Sequence, residues 1–84
     1  MSTYRVEVRI TPREGLLDPE GKAVEHALHA LEFGGVGGVA VGRLVRLRLE
    51  AAAREAAERT ADEMCRKLLA NPVTEDYAIG LEEA

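Results

Sequence analysis

The sequence predicts an α+β fold: an antiparallel sheet of three to four strands with two amphipathic helices on one face. Two kinds of period carry that expectation. Three segments alternate apolar and polar residues, as a strand with one buried face does, and two longer segments repeat apolar residues at helical spacing.

Residues 4 to 10, YRVEVRI, place Tyr4, Val6, Val8 and Ile10 on one face and Arg5, Glu7 and Arg9 on the other. Pro12 and Gly15 end this strand. In the following DPEG, Asp18 can cap a helix whose first residue is Pro19, where a missing N–H is harmless. Val24, Ala27, Leu28 and Leu31 then form the stripe expected to face the sheet, and Gly34 and Gly35 supply the stop. In VGGVAVGRLVRLRLE, Val39, Val41, Val45, Leu47 and Leu49 share a parity that Gly42 and Arg43 interrupt, so residues 36–50 read as a hairpin or one bent strand. Residues 51–70 form the second helix, with Ala53, Ala57, Ala61, Met64 and Leu68 inward and Glu55, Arg59, Asp62 and Arg66 outward, ended by Asn71 and Pro72. In TEDYAIGLE, Tyr77, Ile79 and Leu81 share a face and close the sheet. The order resembles a ferredoxin-like arrangement.

Residues 1–84 are read as one domain with a thin core, so self-association, as a dimer or tetramer, is expected. The single cysteine excludes an intrachain disulfide. No leader-like start and no membrane-length apolar run is apparent, which suggests a soluble, cytoplasmic protein. A net charge of −4 and only Tyr4, Phe33 and Tyr77 as aromatics argue against nucleic-acid binding.

Candidate chemistry is sparse. His26 and His29 lie three apart on the first helix, but the helical wheel sets them beside Lys22, away from the apolar stripe, where a cation would be repelled. A solvated or partner-facing surface is the expectation there. Cys65 has Ala61, Met64, Leu68 and Leu69 as helical neighbours, an apolar setting without the electropositive group or base a nucleophilic thiolate needs. FGGVGGVAVG follows a helix and enters a strand, the reverse of a phosphate loop, and lacks the Walker lysine. Arg5, Arg9, Arg46 and Arg48 occupy non-core parities with Glu7 and Glu50, as expected of cross-strand ion pairs or of an interface; an anion-binding regulatory oligomer is the alternative. No catalytic, cofactor-binding or metal-ligating residue is assigned. Asp18, Pro19, Gly21 and Lys22 of the turn, the histidine-bearing helix face, and Asn71 with Pro72 complete the candidate interface.

Leu17-Asp18-Pro19 with Gly21, His26-Ala27-Leu28, and the run from Cys65 to Tyr77 containing Lys67-Leu68-Leu69-Ala70-Asn71-Pro72 together resemble the PurS family, the small subunit of phosphoribosylformylglycinamidine (FGAM) synthase. The resemblance implies a non-catalytic subunit that bridges a glutaminase subunit and an ATP-dependent synthetase subunit in purine biosynthesis. It also implies that ATP and magnesium belong to the complex and not to this chain.

Overall fold

The computed structural model describes all 84 residues, Met1–Ala84. Strand β1 spans Ser2–Pro12, helix α1 Pro19–Ala30, strand β2 Arg43–Ala51, helix α2 Arg54–Met64 and strand β3 Glu75–Glu83; a π turn, Cys65–Leu69, extends α2. The strands form one antiparallel sheet in the order β2-β1-β3. β1 is central, so that Val6 lies between Leu47 and Leu81, and Val8 between Val45 and Ile79.

The α+β class and the three alternating strands are as expected, and residues 36–50 resolve into neither anticipated form. Residues 36–42 are irregular and a single strand begins at Arg43. The reason is where the amides go: Val39 and Val41 donate to side chains of the α1 segment, not to a strand ladder. Gly42 lies so close to the Ile10 carbonyl that a side chain there would collide with it.

The core lies between β1 and α2. Tyr4, Val6, Val8 and Ile10 are at most 5% exposed, and Ala57 and Ala61 of α2 with Cys65 at the start of the π turn, at four-residue spacing, cover them. Small residues on the helix allow its backbone to approach the sheet closely. The expected stripe through Met64 and Leu68 is corrected, since Leu68 is 82% exposed. In the π turn the Ala70 amide donates to the Cys65 carbonyl five residues back, and this extra residue per turn leaves Ala70, not Leu68, against the core. The helix also starts later than expected, because Ala51 still pairs with Ser2 in the sheet.

A larger correction concerns α1, which does not lie on the sheet. Of its residues only Gly21 is buried, and Val24 and Leu31 of the expected inward stripe are 39% and 67% exposed. The helix and its returning loop project as an arm, giving a molecule 52 × 26 × 14 Å with a radius of gyration of 16.3 Å. A compact chain of this length would have a radius near 12 Å. The accessible surface is 6072 Å², whereas a compact monomer of this mass exposes about 4,900 Å².

The cap at the start of α1 forms as expected, with the Asp18 carboxylate accepting from the Gly21 amide at 3.1 Å. Its end differs. Phe33 N–H donates to the Leu28 carbonyl and Glu32 N–H to that of His29, a Schellman closure in which Glu32, at φ 74°, holds the left-handed position glycine prefers. Gly34 and Gly35 come too late for that position. Replacing Glu32 by glycine should therefore stabilise the end of α1 by about 0.5–1 kcal/mol, seen as slower amide exchange from Leu28 to Phe33. Gly21→Ala should do the reverse, because a methyl there meets the Asp18 carboxylate and, at 2.5 Å, the Val39 carbonyl. Faster exchange at Val39 and Val41 is the expected readout.

Candidate interaction site

The arm is held together by a polar zipper between α1 and the returning chain. Asp18 Oδ2 accepts from Val41 N–H at 3.1 Å, Glu25 Oε1 from Val39 N–H at 3.4 Å, and His29 Nε2 donates to the Val36 carbonyl at 2.7 Å. Positions 18, 25 and 29 follow helical spacing while 41, 39 and 36 run antiparallel to them, and Gly21 on the same side admits the Val39 carbonyl. Asp18 therefore caps the helix with one oxygen and anchors the loop with the other. His29 is exposed on the outer side of the helix and its ring also ties down the loop, while His26, Lys22 and Pro19 are exposed beside it.

The zipper leaves the apolar residues of the arm without cover. Leu16, Leu17, Val24, Leu31 and Phe33 are all exposed, an unusual concentration for a chain of this size. A complementary surface lies elsewhere on the molecule, between α2 and β2. This apolar groove has a volume near 480 Å³ and is lined by Leu47, Met64, Leu68 and Leu69, with Thr60, Glu63 and Lys67 on its rim. It occupies the part of the sheet face that a second helix would cover.

Asn71 and Pro72 sit at the same end of the sheet as the root of the arm. Arg13 organises that end by donating to the Pro72 carbonyl at 2.7 Å and pairing with Asp76 at 3.3 Å. Asn71 Oδ1 accepts from Val73 N–H, and Asn71 N–H donates to Glu75 Oε1 at 2.8 Å. Arg43 completes the clasp with two bonds to Glu75, at 3.0 and 3.1 Å, and one to the Leu69 carbonyl at 2.7 Å, closing the open end of the π turn. Arg43 escapes a sequence reading because its partners, Leu69 and Glu75, lie 26 and 32 residues away. On the opposite face of the sheet Glu7 pairs with Arg46 at 3.5 Å and Arg9 at 3.7 Å, while Arg5 and Arg48 have no carboxylate partner. The candidate residues therefore divide among three places: the arm, the clasped end and the bare sheet face.

The electrostatics of these places support structure more than reactivity. The Asn71 amide and the Arg43 guanidinium hold the Glu75 carboxyl below the usual range. Tyr77 donates to Asp62 at 2.5 Å, which lowers the Asp62 carboxyl and raises the tyrosine hydroxyl. Burial pushes the Cys65 thiol up, away from thiolate. No group of three or more His, Cys, Asp or Glu residues is placed to hold a metal ion, and no helix is long and apolar enough to cross a membrane.

A thin core, a projecting arm and an unfilled apolar groove define a small assembly module. The chain belongs to the PurS family: residues 5–83 match the family model described as phosphoribosylformylglycinamidine (FGAM) synthase. It is 48% identical over 73 residues to the PurS subunit of that synthase from Archaeoglobus fulgidus, covering 87% of this chain and 91% of the relative. Methanocaldococcus jannaschii PurS, a subunit of formylglycinamide ribonucleotide amidotransferase in the purine biosynthetic pathway, superposes with a TM-score of 0.83 at 36% identity, covering 96% of this chain and 98% of that one. A chain in the structure of PurLQS from Thermotoga maritima superposes with a TM-score of 0.86 at 27% identity, over the whole of both chains. The projecting arm is included in that match.

Two measurements check the site. The depressed carboxyls of Glu75 and Asp62 contribute stability above about pH 4, the unfolded carboxylate range, and that contribution is lost as pH falls through their lower folded values. The urea midpoint should decline over that acid window, less steeply in Glu75→Gln. Cys65, fully buried, should react with a thiol reagent only in urea.

Proposed function

We propose that this chain is the non-catalytic small subunit that bridges the glutaminase and synthetase subunits of FGAM synthase in the cytoplasm. The assembly converts formylglycinamide ribonucleotide, ATP and glutamine to FGAM, ADP, phosphate and glutamate. ATP and magnesium bind the synthetase partner. Ammonia released from glutamine is a nucleophile only while unprotonated, so the two sites must be joined and closed to water. A rigid adaptor meets that need with no catalytic residue of its own.

The observation that carries this reading is the mismatch between arm and groove within one chain. The arm exposes an apolar stripe, the groove exposes an apolar floor, and each is what the other lacks. A second copy supplies both at once in a two-fold pair, the arm of each protomer seated on the groove of its partner. The surface in excess of a compact monomer is about 1,200 Å², enough for the roughly 800 Å² per partner of a stable interface. His26 and Lys22, outside the zipper, stay free for the catalytic subunits.

The chain should sediment as a dimer or larger species at micromolar concentration, and Leu31→Asp or Leu68→Asp should shift it towards monomer. Mixing it with purified glutaminase and synthetase subunits should give a ternary complex and glutamine-dependent FGAM formation. Full activity without the chain would defeat the proposal. Replacing His26 and His29 with alanine should spare the sheet and weaken assembly; unchanged assembly would return His26 to solvated surface.

A further inference from the structure

The face of the sheet turned away from α2 carries no helix, and two of its arginines are left unpaired by the others. Arg5 on β1 stands directly opposite Arg48 on β2, and like charges so placed in an antiparallel pair are destabilising. Neither guanidinium has a carboxylate within 4.0 Å. Glu7, the nearest acid along β1, is already engaged by Arg9 and Arg46. Glu82 stands opposite Arg5 on β3 and Glu50 lies two residues beyond Arg48 on β2, yet neither carboxylate reaches a guanidinium, so both arginines are left unpaired.

Beside this pair lies Gly80, in the middle of β3 and opposite Glu7. The fold itself gives no reason for a glycine there. Its φ is not in the left-handed region, and an added Cβ would meet only the Glu7 carbonyl at 3.9 Å, an ordinary contact. A glycine inside a strand weakens it and marks a place where another backbone comes close. With no side chain at Gly80, the face forms an open depression of about 890 Å³ whose polar lining is Arg5, Glu7, Arg46, Arg48 and Glu82.

We propose that this depression receives an acidic segment of one of the catalytic subunits, its backbone passing over Gly80 and an Asp or Glu side chain reaching Arg5 and Arg48. The unpaired guanidinium calls for a carboxylate, and a paired Arg–carboxylate contact at an interface is bidentate and directional. The bare glycine calls for a close main chain, which a small anion does not have. The adaptor reading places a second copy at the arm and groove on the other side of the sheet, away from this depression. The inference rests on the adaptor reading and specifies one of its contacts.

Gly80→Leu, which fills the depression, and the double variant Arg5→Glu with Arg48→Glu test it against purified glutaminase and synthetase subunits. Both should keep the wild-type solution mass, and Gly80→Leu should keep or raise the thermal midpoint. Each should bind the catalytic subunits at least tenfold more weakly, and wild-type binding should fall more steeply with salt than that of the arginine variant. Undiminished binding by both variants, while the wild type assembles, would overturn this contact and leave the adaptor reading intact. No assembly by the wild type would defeat the adaptor reading itself. A change in solution mass would assign the face to contacts between copies, and calorimetric heat with inorganic phosphate that the arginine variant lacks would assign it to a small anion; either overturns the proposal.

Discussion

One helix covers one strand, and the rest of the molecule follows from that. A helix about 10 Å across closes over the middle of a sheet whose outer strands lie roughly 5 Å to either side. The four inward residues of β1 are sealed beneath Ala57, Ala61 and Cys65, while Val45, Leu47, Leu49, Tyr77, Ile79 and Leu81 on the flanking strands are only partly covered. Polar groups brace the flanks instead. Tyr77 reaches Asp62 on α2 along one edge, and Arg43 grips Glu75 and the end of the π turn. The gap above β2 is where a second helix belongs, and α1 is not there.

The displaced helix is nonetheless well built. Its cap, its Schellman end and its zipper are internal to residues 18–41, so the arm needs no support from the sheet to keep its shape. That independence explains how a chain with ten buried residues can hold a helix away from its core. The Thermotoga maritima relative, solved as part of PurLQS, matches this chain over its full length. An extended subunit suits a partner surface better than a compact one, because the apolar area it presents is not consumed by its own fold.

Much of this architecture is legible in the sequence. Strict alternation in YRVEVRI named the four core residues of β1, and Asp18 before Pro19 named the start of α1. Val24, Leu28 and Leu31 showed that α1 has an apolar stripe but not what covers it, since periodicity is local and the covering surface is not. Leu68 misled because helical extrapolation assumes 3.6 residues per turn, and the π turn breaks that count after Met64. The Arg43 clasp and the division of arginines into paired and unpaired depend on strand register, which a pattern of alternation leaves open. The zipper had a faint signal in Asp18, Gly21, Glu25 and His29 at helical spacing, obscured because His29 also lines up with His26.

The carboxylate of Asp18 joins helix and loop at the base of the arm, where the Gly42 and Ile10 backbones also meet. Fraying of the first helical turn therefore frees the Val41 end of the returning chain, while Glu25 and His29 still tie Val39 and Val36 to the helix and hold the arm as one piece. Its helix is about 18 Å long, so a swing of about 10° at the base carries the tip roughly 3 Å. This is leverage: small adjustments at one end of the sheet become displacements at the far end large enough to register with another protein.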